Sequence, residues 1–99
     1  MILELKKFGK ILNSRSSGRE AVLRARQIIN GNKDAQEELI LDFKEVDIVT
    51  PSFADEFITG LTKEYPRKNL KIQGTEGNTV TKDVLKLINI NKILKSRTT

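Results

Sequence analysis

The chain has 99 residues and contains no cysteine, no histidine and no tryptophan; two prolines, one tyrosine and four phenylalanines complete its scarce types. Without cysteine, neither a disulfide framework nor a thiolate metal site can form. Without histidine, the commonest remaining metal ligand and the usual general base near neutral pH are also missing. Long apolar runs are lacking as well. No segment approaches the ~18 residues that span a bilayer, and the opening MILELKKFGK has no basic-then-apolar order of a secretory signal. No lipidation motif stands out. These absences lead us to expect a cytoplasmic protein with no membrane association, no metal and no organic cofactor.

What is present is a lean but patterned composition, 37% hydrophobic and 31% charged. The apolar residues fall in periodic blocks, which argues for a folded domain of modest stability rather than disorder. There is no repeat, no low-complexity tract and no dividing linker, so residues 1–99 read as one domain, with 89–99 as a tail that is flexible or docks. The net charge of +5 is unevenly spread: residues 1–33 carry +6, residues 34–64 carry −7 and residues 65–99 carry +6. Blocks of opposite sign favour neutralisation within the fold over a dedicated polyanion surface.

Ile2 to Phe8 has a short, imperfect strand alternation, and Ile11-Leu12 would extend it or pair back as a hairpin. Ser17 and Glu20 have capping-box spacing, which predicts a helix starting there. That helix would bury Ala21, Val22, Ala25, Ile28 and Ile29 and close at Asn30-Gly31 with a left-handed glycine. Leu39-Ile40-Leu41-Asp42-Phe43 reads as a central strand covered on both faces. Thr50-Pro51 marks a second helix start, followed by Phe53, Ala54, Phe57, Ile58, Leu61 and Tyr65 on one face until Pro66. Leu70 to Gly74 is a third strand. A last helix from Thr79 or Thr81 would bury Val80, Val84, Leu87 and Ile88, with Ile90, Ile93 and Leu94 beyond it. Strand and helix alternate throughout, the pattern of an α/β domain with a mixed, mostly parallel sheet and helices packed on it.

Two stretches are more specific. Leu39-Ile40-Leu41-Asp42-Phe43 is followed by Val46 and then by Thr50-Pro51-Ser52-Phe53-Ala54-Asp55-Glu56-Phe57. A buried strand ending Leu-Asp-aromatic, with a serine ten residues past the aspartate, resembles the STAS domain of sulphate transporters and anti-sigma-factor antagonists. The S-R-x-x-G-R run at Ser14 to Arg19, with S-F-A-D-E at Ser52 to Glu56, resembles more closely a prokaryotic STAS-like family without an assigned biochemical role. The resemblance spans about residues 9–75. It implies a non-enzymatic, protein-binding regulatory module whose partner surface comprises Thr50, Pro51, Ser52, Phe53, Asp55 and Glu56. By the same resemblance the partner is an ATP-dependent serine kinase or sensor and Ser52 is the phospho-acceptor. The antagonists typically read Asp-Ser-Ser-Gly there. This chain reads Thr50-Pro51-Ser52-Phe53, with two acids close behind, so a plain helix-start role for Ser52 stands against the switch.

Ser14, Arg15, Gly18 and Arg19 form a second candidate, because hydroxyls, free amides and guanidinium groups together suit an anion. The competing reading pairs the two arginines with Asp55, Glu56 or Asp42 as an internal clamp. Asp42, in an apolar strand, needs a partner, and holding the loop before Thr50 through backbone amides would supply one. Ser52 with Asp55 and Glu56 is no hydrolase triad, since there is no histidine and no G-x-S-x-G elbow, and enzymatic activity is not expected. The alternative to protein binding is an anion, nucleotide or nucleic-acid site on the Arg15/Arg19 and C-terminal basic surfaces. Lys82, Lys86, Lys92, Lys95 and Arg97 lie in that C-terminal stretch, but few aromatics and no known nucleic-acid signature accompany them. A second copy of the chain is a further candidate partner.

Overall fold

The computed structural model describes residues 1–31, 38–66 and 68–76. The sequence-based helix after Thr79 and the tail with Ile90, Ile93 and Leu94 lie outside the described residues. Five strands and two α-helices are present among those described: β1 (Ile2–Glu4), β2 (Ile11–Leu12), α1 (Arg15–Asn30), β3 (Glu38–Asp42), β4 (Ile48–Val49), α2 (Pro51–Glu64) and β5 (Asn69–Gln73). A 3-10 turn at Leu5–Phe8 follows β1. No helix among the described residues is long and apolar enough to cross a membrane.

β1, β3 and β5 form a wholly parallel sheet in that order, with Leu3 opposite Leu41 and Leu41 opposite Ile72. Parallel neighbours need a crossover, and the right-handed rule sends both helices to one face when the order steps the same way twice. The core agrees. Leu3, Leu39 and Leu41 are buried against Ala21, Ala25, Phe53, Phe57 and Leu61, with Leu70 and Ile72 packed alongside. The expectation that β3 is covered on both faces is therefore corrected for the described residues: Ile40 is half-buried and its register neighbour Ile2 is exposed. Alternating side chains in a strand cannot all turn to a single helical layer.

The N-terminal segment departs from its expected continuous strand. After Glu4 the chain turns through Leu5–Phe8, and β2 then pairs in parallel with β4, neither extending β1 nor forming a hairpin with it. The chain after β3 makes a matching detour through Lys44 and Glu45 before β4. The amides of Asp47 and Ile48 both donate to the Lys10 carbonyl, and the Thr50 amide donates to the Leu12 carbonyl. The Lys6 ammonium bonds Glu45 at 2.9 Å and lies 3.3 Å from Glu4. This tie between the two detours pulls Glu45's carboxyl below its ordinary pKa, chiefly through the hydrogen bond from Lys6.

α1 starts earlier than the capping-box reading placed it. Ser14, at φ 75°, is the cap, and its oxygen accepts the Ser17 amide at 3.2 Å. Ser17 and Glu20 instead occupy the first turns. Gly18 is buried there because α2 passes directly above it: a Cβ at position 18 would lie 2.9 Å from the Glu56 Cβ and 3.0 Å from the Phe53 carbonyl. The buried face of α1 is the small-residue line Gly18, Ala21 and Ala25, continued by Ile29, while Val22 is only half-buried and Ile28 faces solvent. Gly31 ends the helix in right-handed geometry, φ −78°, and not in the left-handed form expected, its amide donating to the Gln27 carbonyl.

α2 follows its sequence pattern closely. The Thr50 hydroxyl accepts the Phe53 amide, Pro51 takes the first helical position, and Phe53, Ala54, Phe57, Ile58 and Leu61 are buried. The Phe53 and Phe57 rings stack at 5.6 Å, and Phe8 meets Phe57 edge-on at 6.0 Å. Truncating a buried phenylalanine such as Phe57 to alanine would cost about 3–5 kcal/mol.

The close approach at Gly18 gives a prediction of sign. Helix propensity alone would make Gly18→Ala stabilising by up to ~1 kcal/mol, but pushing a methyl into the Phe53 carbonyl and the Glu56 stem is overpacking, which typically costs about 1–3 kcal/mol. Urea unfolding should show a net loss; a rise in midpoint would mean the helices separate freely. A second prediction concerns pH. Because Glu45's folded pKa is lowered, its contribution to stability is present above the unfolded value and is lost as pH falls through the folded one. An NMR titration should find the Glu45 carboxyl below its ordinary range, and Lys6→Ala should restore it; an unshifted carboxyl in the wild type contradicts the tie.

Candidate functional site

The parallel pair β2–β4 delivers both helices at one end of the molecule. Leu12 is two residues from the cap of α1, and Val49 is one residue from the cap of α2. Because β2 and β4 are in register, Leu12 opposite Val49, the two helix starts are held side by side. This brings together the segments that the sequence singled out separately.

Arg15 reaches across to α2, with its Nη1 donating to Asp55 at 3.1 Å and to Glu56 at 3.3 Å. Arg19 lies 3.7 Å from Glu56. The hydrogen bonds that Arg15 donates to Asp55 and then to Glu56 raise its pKa above the ordinary value. Farther along the helices, Arg26 pairs with Glu64 at 2.9 Å and the Tyr65 hydroxyl donates to Asn30. The internal clamp of the sequence analysis is thus formed, though by exposed groups: the Arg15 side chain is 55% accessible and that of Asp55 49%. Exposed pairs set geometry more than they add stability. Asp42 is not part of this clamp. Its Oδ1 accepts the Lys44 amide at 3.0 Å and so holds the start of the loop leading to β4.

Of the residues assigned to a partner surface, Pro51 is exposed and Thr50, Ser52, Asp55 and Glu56 are partly accessible. Phe53 is corrected: at 1% exposure it belongs to the core, because the third helical residue turns inward onto Phe57. The exposed Ser14 hydroxyl is used as the cap of α1 and bonds Ser17, and Gly18 is covered by α2.

Sequence reasoning missed the outer side of the β2–β4 ribbon. Ile11 and Ile48 are in register on neighbouring strands and are 60% and 50% exposed. The signal was legible: Ile-Leu and Ile-Val in two-residue strands must send one side chain outward, since successive residues face opposite sides. Beside them, a cleft of about 110 Å³ opens between the ribbon and α1.

With this geometry in view, comparison with known proteins assigns the family. Residues 21–80 match the family described as STAS-like domain of unknown function (DUF4325). The chain belongs to that family, and its fold is the α/β arrangement of two helices on a parallel sheet described above. No curated protein and no solved structure matches.

The clamp leads to a salt-dependent prediction. In a double-mutant cycle of Arg15→Ala and Asp55→Ala, the unfolding free energies should show favourable coupling at low ionic strength. That coupling should vanish in about 1 M salt, where the screening length falls to ~3 Å. Strictly additive losses at low salt would show that the contact does not persist in solution.

Proposed function

We propose that the domain is a non-enzymatic regulatory module that binds a protein partner through the end of the molecule bearing Thr50, Pro51, Ser52, Asp55 and Glu56. The observation that carries this reading is the start of α2, where Pro51 is exposed and Ser52 partly accessible, held on a rigid support by the Thr50 cap, the β2–β4 register and the Arg15 bonds to Asp55 and Glu56. A polar loop-to-helix junction fixed by a packed scaffold is where binding residues concentrate. Membership in the STAS-like family supports a binding role of this kind, and the chain's resemblance to anti-sigma-factor antagonists supports a serine kinase or sensor as the partner.

Ser52 occupies the second position of α2, where a negative charge meets the positive end of the helix dipole. A phosphate there adds about −1.5 to −2 charge next to Asp55 and Glu56. The helix favours that charge and the two carboxylates oppose it, while Arg15, which already bridges both acids, is the cation available to rearrange. Phosphorylation at Ser52 would then act on the partner surface without unfolding the domain.

The experiment is a pull-down from the native host, followed by calorimetry of the recovered partner with wild type, Ser52→Ala and Ser52→Asp. Loss of a hydroxyl at Ser52→Ala should leave affinity unchanged. Ser52→Asp should weaken it, by several kcal/mol if the added charge is desolvated at the interface, with the domain still folded by circular dichroism. Equal affinities for all three proteins would place the interface elsewhere and leave only the fold in common with the antagonists.

A further inference from the structure

Asparagine is a thermolabile residue type, and the residue after it governs how readily it deamidates. A glycine there carries no Cβ, so its backbone nitrogen closes on the asparagine's own side-chain carbonyl with the least hindrance. Of the seven asparagines in the chain, only Asn30 is followed by glycine. Asn30 and Gly31 are both exposed and stand at the end of α1.

The fold holds this pair out of the reactive shape. The Gly31 amide donates to the Gln27 carbonyl at 3.0 Å, so its proton is engaged in the last turn of the helix. Asn30 is itself helical, and ring closure needs its ψ to turn away from the helical value of about −42°. The Tyr65 hydroxyl donates to Asn30 Oδ1 at 2.9 Å and ties the side chain across to the end of α2. Tyr65 is a firm anchor, half-buried against the core with its own amide donating to the Leu61 carbonyl at 2.8 Å. Burial, and then the nearby Glu64 carboxylate, raise its phenol above the ordinary pKa. It therefore keeps its proton and still donates in mildly alkaline solution, where backbone amides lose theirs more readily.

We infer that Asn30–Gly31 is a deamidation site that the fold holds closed and that opens when the last turn of α1 unwinds. In the open form, base removes the Gly31 amide proton and the nitrogen attacks Asn30 Cγ. The Cγ–Nδ2 bond breaks and ammonia leaves, which gives a five-membered succinimide. Water then opens the ring. Addition at Cγ breaks the newly formed Cγ–N bond and gives aspartate. Addition at the Asn30 main-chain carbonyl breaks its bond to the Gly31 nitrogen and gives isoaspartate, with the chain running through the former side chain. The net change replaces an amino group by a hydroxyl, with no oxidant or reductant. Either product puts a carboxylate at the negative end of the α1 dipole, where the last turn has no basic residue. Isoaspartate also lengthens the backbone by a methylene, so the Gly31 amide loses its place under Gln27. The reaction thus loosens the α1–α2 contact at the end away from the helix starts, ~24 Å along the sixteen residues of α1.

The test incubates the full chain in mildly alkaline buffer, folded or unfolded in urea. The tryptic peptide Gln27 to Lys33 is followed by mass spectrometry, with fragmentation to separate Asn30 from Asn32. In the unfolded chain Asn30 should deamidate before any other asparagine, and about tenfold or more faster than in the folded protein, the factor given by ~1.4 kcal/mol for two hydrogen bonds. Tyr65→Phe removes only a hydroxyl and should speed the folded-state reaction roughly twofold to fivefold, which corresponds to ~0.5–1 kcal/mol for one exposed bond. To separate this from unfolding of the whole domain, the rates are read at several urea concentrations below the transition. Opening of one turn exposes little surface and leaves the rate nearly flat; a rate that climbs with urea in step with global unfolding overturns the gate. The deamidated chain, separated by its added negative charge, should unfold at lower urea than the parent. Equal rates in folded and unfolded chains, an unchanged rate in Tyr65→Phe, earlier loss at another asparagine, or a deamidated chain as stable as its parent each overturn the inference.

Discussion

Between Gly18 on α1 and the Phe53–Glu56 stretch of α2 there is no room for a side chain, and that lack of a methyl group lets the two helices meet. Gly60, on α2, repeats the device one turn further along, where a Cβ would lie 2.7 Å from a methyl of Val22. With glycine and alanine at 18, 21 and 25, α1 contributes little bulk of its own; the large side chains come from α2 and from the strands. Small against large is a packing that fills space without strain. It also fixes how far Arg15 and Arg19 stand from Asp55 and Glu56.

The ion pairs are thus a consequence of the packing and not its cause. Arg15 spans two carboxylates because the helix starts are already side by side, delivered there by β2 and β4 in parallel register. Being exposed, these pairs are screened by salt and worth little in isolation. Their role is orientational. They keep the carboxylates of α2 turned toward α1, while the exposed Pro51 and the partly accessible Ser52 have no arginine bond of their own among the interactions described.

The same ribbon accounts for the apolar surface. Two-residue strands bury one side chain each, Leu12 and Val49, and leave Ile11 and Ile48 outside. The cleft next to them exists because Ala21 is small while Phe8 is held aside under the Arg24 guanidinium. Core packing, helix placement and the exposed apolar pair therefore arise from a short set of residues around the two helix starts.

α2 could be read from sequence almost residue by residue, since its cap, its proline and its apolar face are all local signals within fourteen residues. The α/β class and β5 were equally legible, because alternation and helical spacing are properties of the chain itself. The start of α1 was not: Ser14 and Ser17 both lie in a serine-rich run, and local spacing does not decide between caps. Nor was the geometry of the glycine at 31, or the exposure of Ile28, which depends on how wide a stripe the neighbouring helix covers. The detours after β1 and β3, and the pairing of β2 with β4, were beyond the sequence because each strand is two residues long and carries no period of its own. Strand partners are chosen by contacts between residues more than thirty positions apart, and those contacts put Arg15 on Asp55 and left Ile11 beside Ile48 at the surface.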